Sequence, residues 1–303
     1  MRARFVTADV FTDRAFGGNQ LAVFPDASAI PASLFQPIAR EFNFSETTFV
    51  LPPTDRANTA RVRIFTPGGE LPFAGHPTVG TAHVLAATGA IGLSGDLTRI
   101  IFEEGAGPVP VMIRASAGKP VFAQLTAARL PEIGPPTPSR EQLAEMLSLS
   151  PDDLRDGPYV PQAISCGVWF LMVPLVDRGA VGRSRLKVDL CERLLGGFVT
   201  SHVFVFAEDA ERAGSNVRAR MFAHDIGVPE DPATGSAAVG LAAYLAARDP
   251  RRDGTLRWVI EQGFEMGRPS ILEAEAEKKN GQITATRVGG STVIVTTGEM
   301  EFP

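Results

Sequence analysis

The chain has 303 residues, 44% hydrophobic and 21% charged, with a formal net charge of −5 at pH 7. That length suits two domains, each large enough to bury its own core. The mild acidity gives no electrostatic attraction for nucleic acid or an anionic membrane, so neither is expected as a partner.

At the N-terminus, Met1-Arg2-Ala3-Arg4-Phe5-Val6 leads directly into strand-like alternation without an apolar signal core, and the protein is expected to be cytoplasmic. Apolar runs bounded by turn residues predict strands over residues 6–11, 21–24, 47–51, 109–113, 170–173, 203–206 and 292–296. Residues 31–41 and 139–147 predict short surface helices, the second opened by Ser139 with Gln142 three residues on, a capping-box pattern. The proline-rich stretch from Leu130 to Pro138 marks a linker at about 129–138. Domains are therefore expected at 1–128 and 139–303, with the last strand free to cross back. Cys166 and Cys191 sit in no metal or redox spacing and are expected to be buried thiols in a reducing compartment.

One stretch occurs twice. Gly75-His76-Pro77-Thr78-Val79-Gly80-Thr81-Ala82-His83-Val84-Leu85 returns as Gly235-Ser236-Ala237-Ala238-Val239-Gly240-Leu241-Ala242-Ala243-Tyr244-Leu245, at an offset of 235 − 75 = 160. Pro77 suits the first position of one helix and Gly89 its stop. Thr234 or Ser236 suits the cap of the other, which Asp249-Pro250 ends. No Asp, Glu, Lys or Arg lies within 71–95 or 232–247, so each helix must be surrounded by protein. They are too short and too rich in Gly, Pro, Thr and His for membrane spans. Upstream, Arg61-Val62-Arg63-Ile64-Phe65 matches Arg218-Ala219-Arg220-Met221-Phe222, and the alternation predicts two strands with one wet face each. Downstream, Phe102-Glu103-Glu104-Gly105 matches Ile260-Glu261-Gln262-Gly263. The pattern predicts an α+β protein of two pseudo-symmetric domains, each wrapped around one buried helix. Gly105-Ala106-Gly107 lacks the third glycine of a dinucleotide fingerprint, which argues against a Rossmann site.

Both helices begin at a loop rich in Gly and polar residues. A helix start presents free N–H groups and partial positive charge, which suits an anion, and two starts facing one cleft would hold a small carboxylate-bearing substrate. Gly75 and Gly235 are otherwise plain backbone turns. His76 stands where the dipole disfavours imidazolium, so it is either a neutral proton donor or acceptor or a capping histidine. Asp231 precedes Pro232, which sets an extended backbone; it is a site carboxylate or an ordinary helix-start charge. Glu46 enters the apolar run Phe44-Ser45-Glu46-Thr47-Thr48-Phe49-Val50, and alignment of the strand pairs places Ser201 opposite it in the second half. An acid in one half alone suits asymmetric acid–base chemistry, while an exposed strand-edge glutamate is the ordinary alternative. His83 is expected in the core. His202 and His224 lack partners at a recognisable spacing, so no metal site is expected.

The residues resemble the PhzF-like phenazine-biosynthesis family, related in fold to diaminopimelate epimerase. The resemblance rests on Asp9-Val10-Phe11-Thr12, Phe16-Gly17-Gly18-Asn19-Gln20-Leu21-Ala22-Val23 and Arg40-Glu41-Phe42-Asn43-Phe44-Ser45-Glu46-Thr47. It continues through Glu70-Leu71-Pro72-Phe73-Ala74-Gly75-His76-Pro77, Asp231-Pro232-Ala233-Thr234-Gly235-Ser236-Ala237, and Gln262-Gly263 with Met266-Gly267-Arg268-Pro269-Ser270, spanning nearly the whole chain. It implies two domains, each a β-barrel-like sheet around a central helix, a site between them that uses no cofactor, and a homodimer. It further implies Glu46 as the acid–base, with His76, Asp231 and Ser236 completing the catalytic cluster. Backbone N–H groups near Gly75 and Gly235, with Asn19, would hold the substrate carboxylate.

What the resemblance implies is an isomerase that moves a proton on a small cyclic or unsaturated amino acid, such as trans-2,3-dihydro-3-hydroxyanthranilate. A carboxyl in an apolar cleft has its pKa raised towards neutrality, so one group can take and return the proton. The fold relatives racemise amino acids with two thiols; here His76 and Ser236 stand at those helix starts, which argues against thiol chemistry. A thiol-independent epimerase and a non-catalytic small-ligand binding or interaction protein of the same fold are the alternatives.

Overall fold

The alternating residues at the start of the chain form strand β1 (Arg2–Val10) in the structure, a computed structural model that describes residues 2–302. Then come β2 (Asn19–Phe24), α1 (Phe35–Phe42), β3 (Glu46–Leu51), β4 (Ala60–Phe65), β5 (Glu70–Leu71), α2 (Gly75–Ala87), β6 (Leu97–Glu104), β7 (Gly107–Ser116) and β8 (Lys119–Thr126). The second half supplies β9 (Glu132–Ile133), α3 (Arg140–Met146), β10 (Gln162–Ser165), β11 (Trp169–Pro174), α4 (Arg178–Arg183), α5 (Val188–Leu195), β12 (Val203–Ala207), β13 (Val217–Ala223) and β14 (Val228–Asp231). It ends with α6 (Gly235–Arg248), β15 (Gly254–Gln262), β16 (Ser270–Lys279), β17 (Gln282–Gly290) and β18 (Thr292–Glu301). The chain divides into two units, Met1–Ala128 with Arg287–Pro303, and Arg129–Thr286.

In the first unit β1 lies antiparallel between β18 and β2. The sheet continues with β2 parallel to β3, β3 antiparallel to β4, β4 parallel to β6, and β6, β7 and β8 antiparallel in turn. The second unit repeats the sequence of pairings: β11 parallel to β12, β12 antiparallel to β13, β13 parallel to β15, and β15 antiparallel to β16. The proline-rich stretch carries β9, which pairs with β10, and Arg287–Gly290 of β17 pairs with β8.

The strands of each unit wrap one helix, free of charged residues but for Arg248 at the end of α6. From Gly75 to Ala86 every residue of α2 is buried, and α6 is buried from Ala237 to Ala246. Small residues permit this. A Cβ on Gly80 would lie 2.6 Å from both Leu21 Cδ2 and Val10 Cγ2, and one on Gly240 would lie 2.9 Å from Met172 Cε. Gly89, at φ +78°, stops α2 by a left-handed turn that a Cβ would oppose. In α3, Gln142 N–H donates to Ser139 Oγ (3.3 Å) and Ser139 N–H to Gln142 Oε1 (2.9 Å), closing the capping box.

Several local expectations are corrected. Helix α2 begins at Gly75, so Pro77 occupies the third helical position rather than the first; its missing N–H still costs nothing, because none of the first four is used within a helix. Neither Thr234 nor Ser236 caps α6 through its side chain, since the Thr234 hydroxyl is engaged elsewhere. Strand β4 has the expected wet side at Arg61, but β13 is buried along its whole length. Arg218 reaches Glu261 Oε2 and Glu265 Oε1, both at 3.1 Å, and stacks on Phe264. Arg220 forms a two-pronged pair with Glu230 at 2.7 Å and donates to the Ser184 carbonyl at the end of α4. Guanidinium groups so fully paired tolerate burial.

Candidate active site

In the first unit three expected site residues converge. Asn19 is the first residue of β2, opposite Val10, and is fully buried. It follows a loop in which Phe11, Phe16 and Gly18 all have positive φ. At Gly18 (φ +64°) a Cβ would stand 2.3 Å from the Val10 carbonyl oxygen, so only glycine lets the chain turn into β2 here. The buried Asp9 carboxylate holds the loop by accepting from Phe16 N–H at 2.7 Å.

Glu46 opens β3. Phe35 and Phe49 stack with centroids 4.1 Å apart, seating α1 on the sheet, and Asn43, at φ +52°, ends α1 and turns the chain towards β3. His76 is the second residue of α2 and is 3% exposed. Its Nδ1 lies 3.1 Å from Asn19 Nδ2, and its Nε2 lies 3.2 Å from Glu46 Oε2. The Asn19 side-chain amide and His76 Nδ1 are hydrogen-bonded, whereas His76 Nε2 and Glu46 Oε2, though close, are not aligned as a hydrogen bond. Burial pushes the imidazole pKa down to about 3, against a backbone hydrogen bond with Gln20 that raises it. His76 is therefore neutral at physiological pH, and its approach to Glu46 is a close polar contact rather than an ion pair. The Glu46 side chain is 14% exposed. It is a largely buried carboxyl beside His76, not a solvated strand-edge charge.

The second unit gathers Asp231, Thr234 and Gln262 around the start of α6. Asp231, at the end of β14, accepts from the Thr234 hydroxyl at 2.5 Å. The buried Gln262 amide donates to the Asp231 carbonyl (2.7 Å) and to Thr234 Oγ1 (2.9 Å), and its oxygen accepts from Thr234 N–H (3.1 Å). Gly235 and Ser236 are the first two residues of α6, as Gly75 and His76 are of α2. Ser236 is half-buried. The first-turn N–H groups of both helices have no partner within the helix, which is the chemistry of an anion site.

Thr234, expected only as a helix cap, and Gln262, expected only as the repeat of Glu104, are the further side chains gathered at Asp231. The expected counterpart of Glu46, Ser201, is corrected by strand register. Thr47 pairs with Phe65 and Val203 with Phe222, the matching phenylalanines of the repeat, so His202 rather than Ser201 stands in the place of Glu46. His202 Nε2 lies 3.4 Å from Asp225 Oδ1, and burial lowers its pKa against the pull of that carboxylate. A cavity of about 580 Å³ lined by Trp169, Phe198, His202 and Asp225 contains none of the expected site residues. Burial pushes the thiols of Cys166 and Cys191 up to about 11, so neither is a ready base. Among the described residues no three His, Cys, Asp or Glu side chains form a metal-ligand set, and no helix is long and apolar enough to cross a membrane.

A family model described as phenazine biosynthesis-like protein, PhzC-PhzF, matches residues 8–298. The chain belongs to the PhzC-PhzF family. An uncharacterised isomerase of Mesorhizobium japonicum is 36% identical over 98% of each chain. The trans-2,3-dihydro-3-hydroxyanthranilate isomerase of Pseudomonas aeruginosa is 36% identical over 95% of each. A crystal structure of the Bacillus anthracis PhzF-family phenazine biosynthesis protein covers 100% of both chains with a TM-score of 0.89 at 24% identity, a likeness of fold. The fold is the α+β, epimerase-like one, and the chain is a PhzC-PhzF isomerase.

Proposed function

We propose that this isomerase moves a proton on a small cyclic or unsaturated amino acid, trans-2,3-dihydro-3-hydroxyanthranilate or a near relative, with Glu46 as the proton carrier. The observation that carries the proposal is the Glu46 carboxyl held 3.2 Å from a buried, neutral His76 that is itself fixed by Asn19. A carboxylate so placed removes a proton from one carbon of a conjugated ring and, as the acid it has become, returns it to another. The neutral imidazole donates to it or to a substrate heteroatom without adding charge. Asp231 and Ser236 place the amine and hydroxyl groups, and N–H groups at Gly75 and Gly235, with the Asn19 side chain, hold the carboxylate. The chemistry proposed needs no cofactor, because proton removal and return are within the range of a carboxyl and an imidazole. We further propose a cytoplasmic homodimer; the two free, buried thiols support a reducing compartment.

The test is incubation with trans-2,3-dihydro-3-hydroxyanthranilate in deuterated water. Isomerised product carrying solvent deuterium is expected from the wild type. Glu46→Gln should lower the rate by a factor on the order of 10³, as loss of a principal acid–base group does. Binding without exchange, equal in wild type and Glu46→Gln, would show a ligand-binding protein instead. Exchange with loss of optical rotation but no bond migration would show an epimerase.

A further inference from the structure

Glu104 takes no part in the proposed chemistry, yet it is a buried acid of the first unit. It ends β6, is 8% exposed, and its Oε1 lies 2.6 Å from the Thr78 hydroxyl on α2. Its Oε2 is buried and, among the described residues, has no hydrogen-bond partner. Thr78 Oγ1 also lies 2.7 Å from the carbonyl oxygen of Ala74, the residue before Gly75 and His76. A hydroxyl has one proton, and a carbonyl only accepts. With Glu104 ionised, two acceptors compete for that proton and a bare charge sits in the core. With Glu104 protonated, one chain satisfies every short contact: Glu104 O–H donates to Thr78 Oγ1, and Thr78 O–H donates to Ala74 O.

The second unit shows the same device with an amide. Gln262 stands where the repeat places Glu104, and it ties the start of α6 through Asp231 and Thr234. Each side chain precedes a glycine packed on the proline that opens the helix-start loop. A Cβ on Gly105 would lie 2.8 Å from Pro72 Cα, and one on Gly263 would lie 2.6 Å from the Pro232 carbonyl. An amide and a carboxylic acid are both neutral hydrogen-bonding groups; a carboxylate is not their equivalent.

We propose that Glu104 is a positioning residue that works as a neutral acid, pinning the first turn of α2 through Thr78 and so holding His76 against Asn19 and Glu46. The inference rests on the assignment of His76 and Glu46 as the acid–base pair. Burial raises the Glu104 pKa to about 8, against the Thr78 hydroxyl bond that lowers it. Among the described residues no neighbouring cation is placed to ionise it. Arg61 on β4 is exposed, Arg63 is paired with Glu70 of β5, and Arg114 on β7 lies over Phe122. On α2, His76 is turned to Asn19 and Glu46, and burial keeps His83 neutral with a pKa of about 4. Glu103, on the same strand, is held by Thr54, Asp55 and Asn58.

The test follows His76 directly, by ¹⁵N NMR of the histidine-labelled full chain, with His76→Gln to assign its signals. In wild type the signature of a neutral His76 ring held in one tautomer is expected to broaden or shift as pH rises through about 8. Glu104→Gln should keep the signature unchanged to higher pH and hold the deuterium-exchange rate within about threefold of wild type at pH 7. Glu104→Ala should lose the signature and at least about tenfold in exchange rate. An alkaline change in Glu104→Gln matching that of wild type would overturn the proposal, as would a His76 signature intact in Glu104→Ala. These signals report on Glu104 even if the isomerase assay fails, so the two proposals fall separately.

Discussion

Removal of the His76 ring should change how stability depends on pH, and the size of the change follows from burial. In the unfolded chain the imidazole titrates near 6.5, and in the folded protein near 3. Because its folded pKa is depressed, the native state refuses a proton that the unfolded state takes up. Stability is thus lost as pH falls below 6.5, by about 1.36 kcal/mol per unit until the folded pKa is reached. Between pH 7.5 and 5 the loss sums to about 2 kcal/mol, and it would be nearly the same for a folded pKa anywhere below 4. His76→Gln removes this contribution while keeping a polar side chain beside Asn19 and Glu46. Urea unfolding of both proteins at pH 7.5, 6.5, 5.5 and 5, followed by circular dichroism, measures it. The variant should be the less stable at pH 7.5, and the gap should close by about 2 kcal/mol by pH 5. Other titrating groups are common to both proteins and largely cancel in the difference. A gap constant to within about 0.5 kcal/mol over this range would refute the assignment of His76 as a buried, neutral imidazole.

Two further perturbations test the framework around the half-sites. Gly18→Ala sets a Cβ against the Val10 carbonyl at a backbone angle that alanine resists, and should cost about 2 kcal/mol in urea unfolding while slowing exchange through displaced Asn19. Arg218→Met leaves the wholly buried Glu261 carboxylate without its cation and should cost about 3 kcal/mol, whereas adding Glu261→Met should recover part of that loss. A double variant no more stable than the single would show that the backbone N–H groups of Glu211 and Arg212, which also bind Glu261, carry the interaction instead.

The sequence by itself determined the repeat, the two enclosed helices and most strand positions. The signals were local: a charge-free helix has no face to offer water, and alternation or a capping box is written within a few residues. Residue pattern raised Glu46 and His76 and family resemblance added Asn19, but the distances between them came only from the fold, because 57 positions separate Asn19 from His76 and β2 and β3 pack around α2 to close that gap. Tertiary structure alone decided the burial of Arg218 and Arg220, since their partners Glu261, Glu265 and Glu230 arrive from other strands and loops. Strand register, which no single strand encodes, put His202 rather than Ser201 in the place of Glu46. The protonation of His76 and Glu104 was decided there too, because a pKa depends on how much water and charge the completed fold leaves beside a group, and a chain position specifies neither.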